Sequence, residues 1–163
     1  MRIDLTSLFP YQADLDKEIA TLHSITYEST STRRLLALFV ELGELANETR
    51  CFKFWSLKGP SPKERIVDEF ADGIHFSISI GISLGMKGFS YETKGKAKDL
   101  NEAFLDVYEA YCELRNSRTV ENAKKAMGTY LELAPLLNLN EEDILSGYLT
   151  KCQENHARQE RKY

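Results

Sequence analysis

Residues 41–76 set a charge problem that any fold of this chain has to solve. ELGELANE at 41–48 places Glu41 and Glu44 three apart, and DEFADGIHF at 68–76 places Glu69 and Asp72 three apart. Residues at that spacing project from nearly the same face of a helix, so each pair presents two carboxylates side by side. The flanking positions are apolar: Leu38, Phe39, Leu42 and Leu45 in the first stretch, Ile66, Val67, Phe70, Ile74 and Phe76 in the second. A solvated acidic face would be framed by Lys, Gln or Ser, so these acids belong at the edge of a core or inside a cleft. Two carboxylates about 4 Å apart repel by roughly 4 kcal/mol at an effective dielectric near 20, so four converging ones demand protons or a cation. A hard divalent ion is the natural counter-charge.

The rest of the chain reads as helices. In YQADLDKEIATLH, residues 11–23, Leu15, Ile19 and Leu22 recur at helical spacing, with Gln12 and Asp16 toward the polar side. A second helix is expected from about 33 to 50, capped by Ser31 or Thr32, and it carries Glu41 and Glu44. CFKFWSLKGPSP then forms a loop. Ser61, Pro62 and Glu64 read as N-cap, first-turn proline and capping-box glutamate of a third helix running to about Gly85. Helical patterns follow at 96–116 and 119–134, and Asn140 to Asp143 resembles a capped start for a last helix from about 141 to 160. No convincing period-two strand, internal repeat or low-complexity segment stands out. The expected fold is therefore all-α, a bundle of five to six helices in one domain over 1–163, with a four-helix core carrying the carboxylates.

Composition narrows the partners. The net charge of −4 argues against a polynucleotide held through its phosphates, while a small anion bound through metal stays compatible. The amino terminus lacks the apolar run of a signal peptide, and IHFSISIGISLG is too short and interrupted to span a membrane. Cys51, Cys112 and Cys152 are odd in number with no zinc spacing, as expected of reduced thiols in a cytoplasmic protein. The segment after 150 turns basic, with Lys151, Arg158, Arg161 and Lys162 against Glu154 and Glu160. An acidic cage facing basic side chains suggests a polyphosphate ligand. On composition alone Trp55 reads as a core anchor, and His75, within an apolar run, is expected to be a core histidine rather than a ligand.

With these residues in view the chain resembles the all-α, dimeric-type dUTP pyrophosphatases, within the wider all-α nucleoside triphosphate pyrophosphohydrolases. The likeness rests on ELGELANE and DEFAD at the family's separation, the FKFW loop between them, and the Lys–Asn–Arg–Gln pattern of the tail. It implies a homodimer that hydrolyses dUTP to dUMP and pyrophosphate with Mg²⁺, more than one ion per site. Glu41, Glu44, Glu69 and Asp72 would be the metal ligands, with Glu41 or Glu44 also the general base. Lys53 would face the phosphates, Trp55 would line the base pocket, and Gln12 and Asp16 would contact the uracil edge. Lys151, Asn155 and Arg158 would close over the nucleotide. The tail departs from the family in carrying Cys152 and Lys162 where an Asn and a Gly are expected, which throws base recognition more heavily onto Asn155. Because the residues after 150 are mostly polar, the sequence also predicts a mobile closing segment, dispensable for fold stability. Other readings stay open: a sibling specificity such as dCTP, a di-iron bundle of which Asp72 and His75 mimic half the motif, or a non-catalytic helical module.

Overall fold

The amphipathic periods become helices packed around one hydrophobic core. The computed structural model describes residues 1–95 and 99–162. In chain order it has a short strand β1 (Arg2–Asp4), a 3₁₀ turn (Thr6–Leu8), helices α1 (Phe9–His23), α2 (Ser31–Thr49) and α3 (Lys63–Ser83), strand β2 (Ser90–Glu92), then α4 (Leu100–Asn116), α5 (Val120–Leu131), the single turn α6 (Leu133–Leu136) and α7 (Glu141–Glu160). This is the all-α bundle that the patterns imply.

Helix α3 is the hub. It packs on α1, α2, α5 and α7, while α4 and α5 pair with each other. Its apolar stripe is wide, with Phe70, Ala71, Ile74 and Ile78 all essentially inaccessible, as expected of a helix covered on several sides. Two close approaches bring the neighbours in. A Cβ on Gly73 would lie 2.0 Å from the Tyr130 hydroxyl oxygen, and one on Gly147 would lie 2.6 Å from Val67 Cγ1, so hydrogen at these positions lets α5 and α7 seat against α3. Tyr130 Oη donates to Phe70 O at 2.9 Å and Tyr111 Oη to Ser77 Oγ at 2.8 Å, which satisfies the polar ends of two fully buried tyrosines. At the start of α7, Asn140 and Asp143 form the reciprocal capping box that the sequence suggested, and Asp143 also holds Lys63 at 3.0 Å.

Several local expectations change. Residues 2–4 and 90–92 form a two-stranded antiparallel pair, Ile3 opposite Tyr91, which pattern reading missed because three residues carry too little alternation to register. Ser61 does not cap α3. Its hydroxyl donates to Glu48 instead, and Pro62 occupies the cap position without a side-chain bond. Thr30 rather than Ser31 or Thr32 precedes α2, and α3 ends at Ser83 rather than Gly85. The helix expected over 119–134 is interrupted at Glu132. The start expected at 96 lies outside the described residues, and α4 is capped by Asp99, whose side chain accepts from Glu102 N.

Candidate active site

The carboxylate pairs of α2 and α3 do converge, because those two helices pack face to face. One oxygen from each of Glu41, Glu69 and Asp72 lies within 4.8 Å of the other two. Glu44, one turn further along α2, lines the same cleft but stays outside this cluster and is exposed. The cleft encloses about 640 Å³ and is walled almost entirely by α1, α2, α3 and α7.

Electrostatics mark this spot as under-compensated. Burial, the neighbouring Glu44 carboxyl and the charges of Asp72 and Glu69 push Glu41 up to about 8. Burial, with Asp72 and Glu44, raises Glu69 to about 7. Burial also raises Asp72, to about 6, against the opposing pull of Lys151. Lys151 is itself buried, yet it keeps its charge through ion pairs with Asp68 Oδ1 at 2.9 Å and Asp72 Oδ2 at 3.3 Å. Among the described residues, the buried side-chain N and O atoms with no hydrogen-bond partner are Glu41 Oε2, Glu69 Oε2 and His75 Nε2. All three belong to residues lining this one cleft. Orphaned buried acceptors are rare because each loses its hydration without replacement. Oxygen-only donors, clustered and unpaired, fit a hard divalent cation.

Away from the cage the cleft has a hydrogen-bonded floor. Gln12 Oε1 accepts from Tyr148 Oη and from His75 Nδ1, both at 2.7 Å, and Gln12 Nε2 donates to Asp16 Oδ1 at 2.9 Å. His75 stacks on Tyr148 with ring centroids 4.0 Å apart, and burial drives it down to about 4, so it is the neutral core histidine that its apolar setting implied. Arg34 and Ser79 complete the floor.

The structure therefore gathers Gln12, Asp16, Glu41, Glu44, Glu69, Asp72, Lys151, Asn155 and Arg158 into one cleft. It does not bring Lys53 or Trp55 there. Their loop projects from the end of α2, with Phe54 93% and Trp55 64% exposed, the two rings edge to face 5.0 Å apart. Trp55 is thus no core anchor either. The tail also differs from expectation: Lys151 and Cys152 are buried parts of α7, so packing holds the helix beyond residue 150. The miss arose from counting Lys151 as solvated, when Asp68 and Asp72 neutralise it. Arg34, Arg65, Asp68 and Ser79 also line the cleft. Seven-residue spacing from Glu41 to Arg34 and from Asp72 to Ser79 was the signal for two of them.

The fold and the cleft define an all-α protein with a carboxylate cluster suited to a divalent cation and cationic side chains on the adjoining helix. Residues 4–163 match the family described as dUTPase, and the chain belongs to that all-α dUTPase family. It is accordingly an enzyme, a nucleoside triphosphate diphosphatase acting on dUTP. A comparison with curated proteins gave no match. No helix among the described residues is long and apolar enough to cross a membrane.

Proposed function

We propose that this chain hydrolyses dUTP to dUMP and pyrophosphate with Mg²⁺ held by Glu41, Glu44, Glu69 and Asp72. The observation that carries the reading is the Glu41, Glu69 and Asp72 cluster with two buried, unpartnered oxygens, set beside a helix whose Lys151, Asn155 and Arg158 line the same cleft. Bound there, the cation would neutralise triphosphate oxygens and make phosphorus more electrophilic. Lys151 and Arg158 add charge-assisted hydrogen bonds to phosphate, and Asn155 orients the nucleotide. Glu41 or Glu44 takes the proton from the attacking water, since either carboxylate can accept it in place. Gln12 and the Arg34 end of the cleft meet the base.

In the same reading the whole chain is one cytoplasmic domain that works as a homodimer. Lys53 and Trp55 then serve the cleft of a second copy, which accounts for an aromatic loop left so exposed. The free cysteines are consistent with a reducing compartment. A panel of deoxynucleoside triphosphates assayed with Mg²⁺ for pyrophosphate release tests the reading. Turnover of dUTP well above dCTP, dTTP and dATP supports it, and turnover of dCTP in preference to dUTP overturns it.

A further inference from the structure

Resting on the dUTP reading above, we propose that Arg34 is the residue that tells uracil from cytosine, and that Asp16 touches no part of the nucleotide but holds Arg34 in place. Asp16 is held from several sides by the protein. A carboxylate offers about four acceptor sites. Oδ1 faces Gln12 Nε2 at 2.9 Å and Arg34 Nη1 at 3.5 Å, while Oδ2 accepts from Tyr27 Oη at 2.8 Å and Ser79 Oγ at 2.9 Å. Asp16 is 5% exposed, and its oxygens already accept three hydrogen bonds and pair with a guanidinium, so its carboxylate is committed to the protein.

Arg34 is the opposite case. Its Nε donates to Thr30 Oγ1 at 2.9 Å, its Nη1 donates to Ser79 Oγ and is ion-paired with Asp16 Oδ1 at 3.5 Å, and the guanidinium lies 4.7 Å over the Tyr27 ring. These contacts fix the plane of the group. Of its five N–H donors, the two on Nη2 have no acceptor among the described residues, and Nη2 is not one of the buried unpartnered atoms. Arg34 lines the cleft. A rigid guanidinium thus presents one unused donor edge to whatever fills that end.

Position says which part of a nucleotide that is. Arg34 lies seven residues before Glu41 on α2 and Ser79 seven after Asp72 on α3, so both stand two turns, about 10 Å, from the carboxylates along their own helices. With the triphosphate at the carboxylates, the base reaches the Arg34 end. Donors there fit the 4-carbonyl oxygen of uracil and oppose the 4-amino group of cytosine, which would set donor against donor. Thymine has the same carbonyl, so Arg34 does not exclude it.

The test is selectivity. Wild type should show a kcat/KM for dUTP at least 100-fold above dCTP, and Arg34→Met should cut that ratio at least tenfold by losing dUTP turnover, with Arg34→Lys between the two and the dUTP to dTTP ratio within threefold of wild type. Asp16→Asn should also lower the dUTP to dCTP ratio, but not further once Arg34→Met is present. Equal losses on dUTP and dCTP would overturn the assignment, because a phosphate contact or a merely structural role affects both alike. A substrate-side arm needs no variant: wild type given the 2-pyrimidinone analogue, which lacks the 4-oxygen, should lose at least tenfold in kcat/KM relative to dUTP, and undiminished turnover would overturn the proposal. Failure of the dUTP reading itself would show separately, as wild-type preference for dCTP or absence of dUTP turnover.

Discussion

Lys151 Nζ sits 3.3 Å from Asp72 Oδ2, so the helix that carries the C-terminal cations is tied directly to one of the clustered carboxylates. The same ammonium holds Asp68 at 2.9 Å. Lys151→Met should therefore lower both activity and stability, since it strands Asp72 beside two other acids. Removing one partner of a well-buried pair costs about 3–5 kcal/mol, and less here because Asp68 is 40% exposed. Truncation after Thr150 should cost more than Lys151→Met, because it also uncovers the site of Cys152. Thermal melts of both variants check the order, and a truncated chain melting with wild type would show that the tail is idle.

The raised carboxylates give the metal-free protein an unusual pH response. Groups that titrate near 8 and 7 in the fold, against an ordinary 4.5, keep protons that the unfolded chain has released, so the fold loses stability as pH rises through those values. His75 works in the other direction, but only below its ordinary 6.5, where the unfolded imidazole gains a proton that the buried ring refuses. In chelator, Tm should accordingly fall between pH 6.5 and 8.5. Mg²⁺ should flatten or reverse that slope, and differential scanning fluorimetry across the window reads both.

Neutralising one cage residue separates chemistry from folding. Glu41→Gln removes a charge that repels its neighbours and has no cationic partner among the described residues to strand, so apo stability should hold or rise. Cation-assisted charge stabilisation is worth several kcal/mol at the transition state, which corresponds to a loss of at least about 100-fold in kcat. Steady-state kinetics at saturating Mg²⁺, paired with a melt, gives both numbers.

Gly73→Ala should destabilise the protein without touching a charged group. Its Cβ would fall 2.0 Å from Tyr130 Oη, and Tyr130 cannot retreat without giving up its 2.9 Å bond to Phe70 O. Overpacking of this kind costs about 1–3 kcal/mol, and each kcal/mol lowers Tm by about 2–4 °C in a chain this size. Thermal denaturation of the variant measures it.

Much of the site was readable because its signals are local. The i, i+3 spacing of Glu41 with Glu44 and of Glu69 with Asp72 fixes which face each carboxylate shares, and apolar flanks say that the face is partly buried. The capping box at Asn140 and Asp143 is equally local. What escaped depends on partners distant in sequence. Lys151 looks solvated until Asp68 and Asp72 are seen beside it, and Asp16 looks free until Tyr27, Arg34 and Ser79 arrive on it from three segments. Strands Arg2–Asp4 and Ser90–Glu92 exist only because the chain brings them together. Lys53 and Trp55 carry a recognisable motif, but a motif does not say which cleft the loop reaches.

In the proposed function the triphosphate is held through a cation on Glu41, Glu69 and Asp72. Calorimetric titration of a non-hydrolysable dUTP analogue, once with Mg²⁺ and once in excess chelator, tests it without requiring turnover. Chelator should weaken binding at least about 100-fold, since anionic phosphates would then face three acids whose repulsion Lys151 offsets only in part. Equal affinity in both titrations would contradict it.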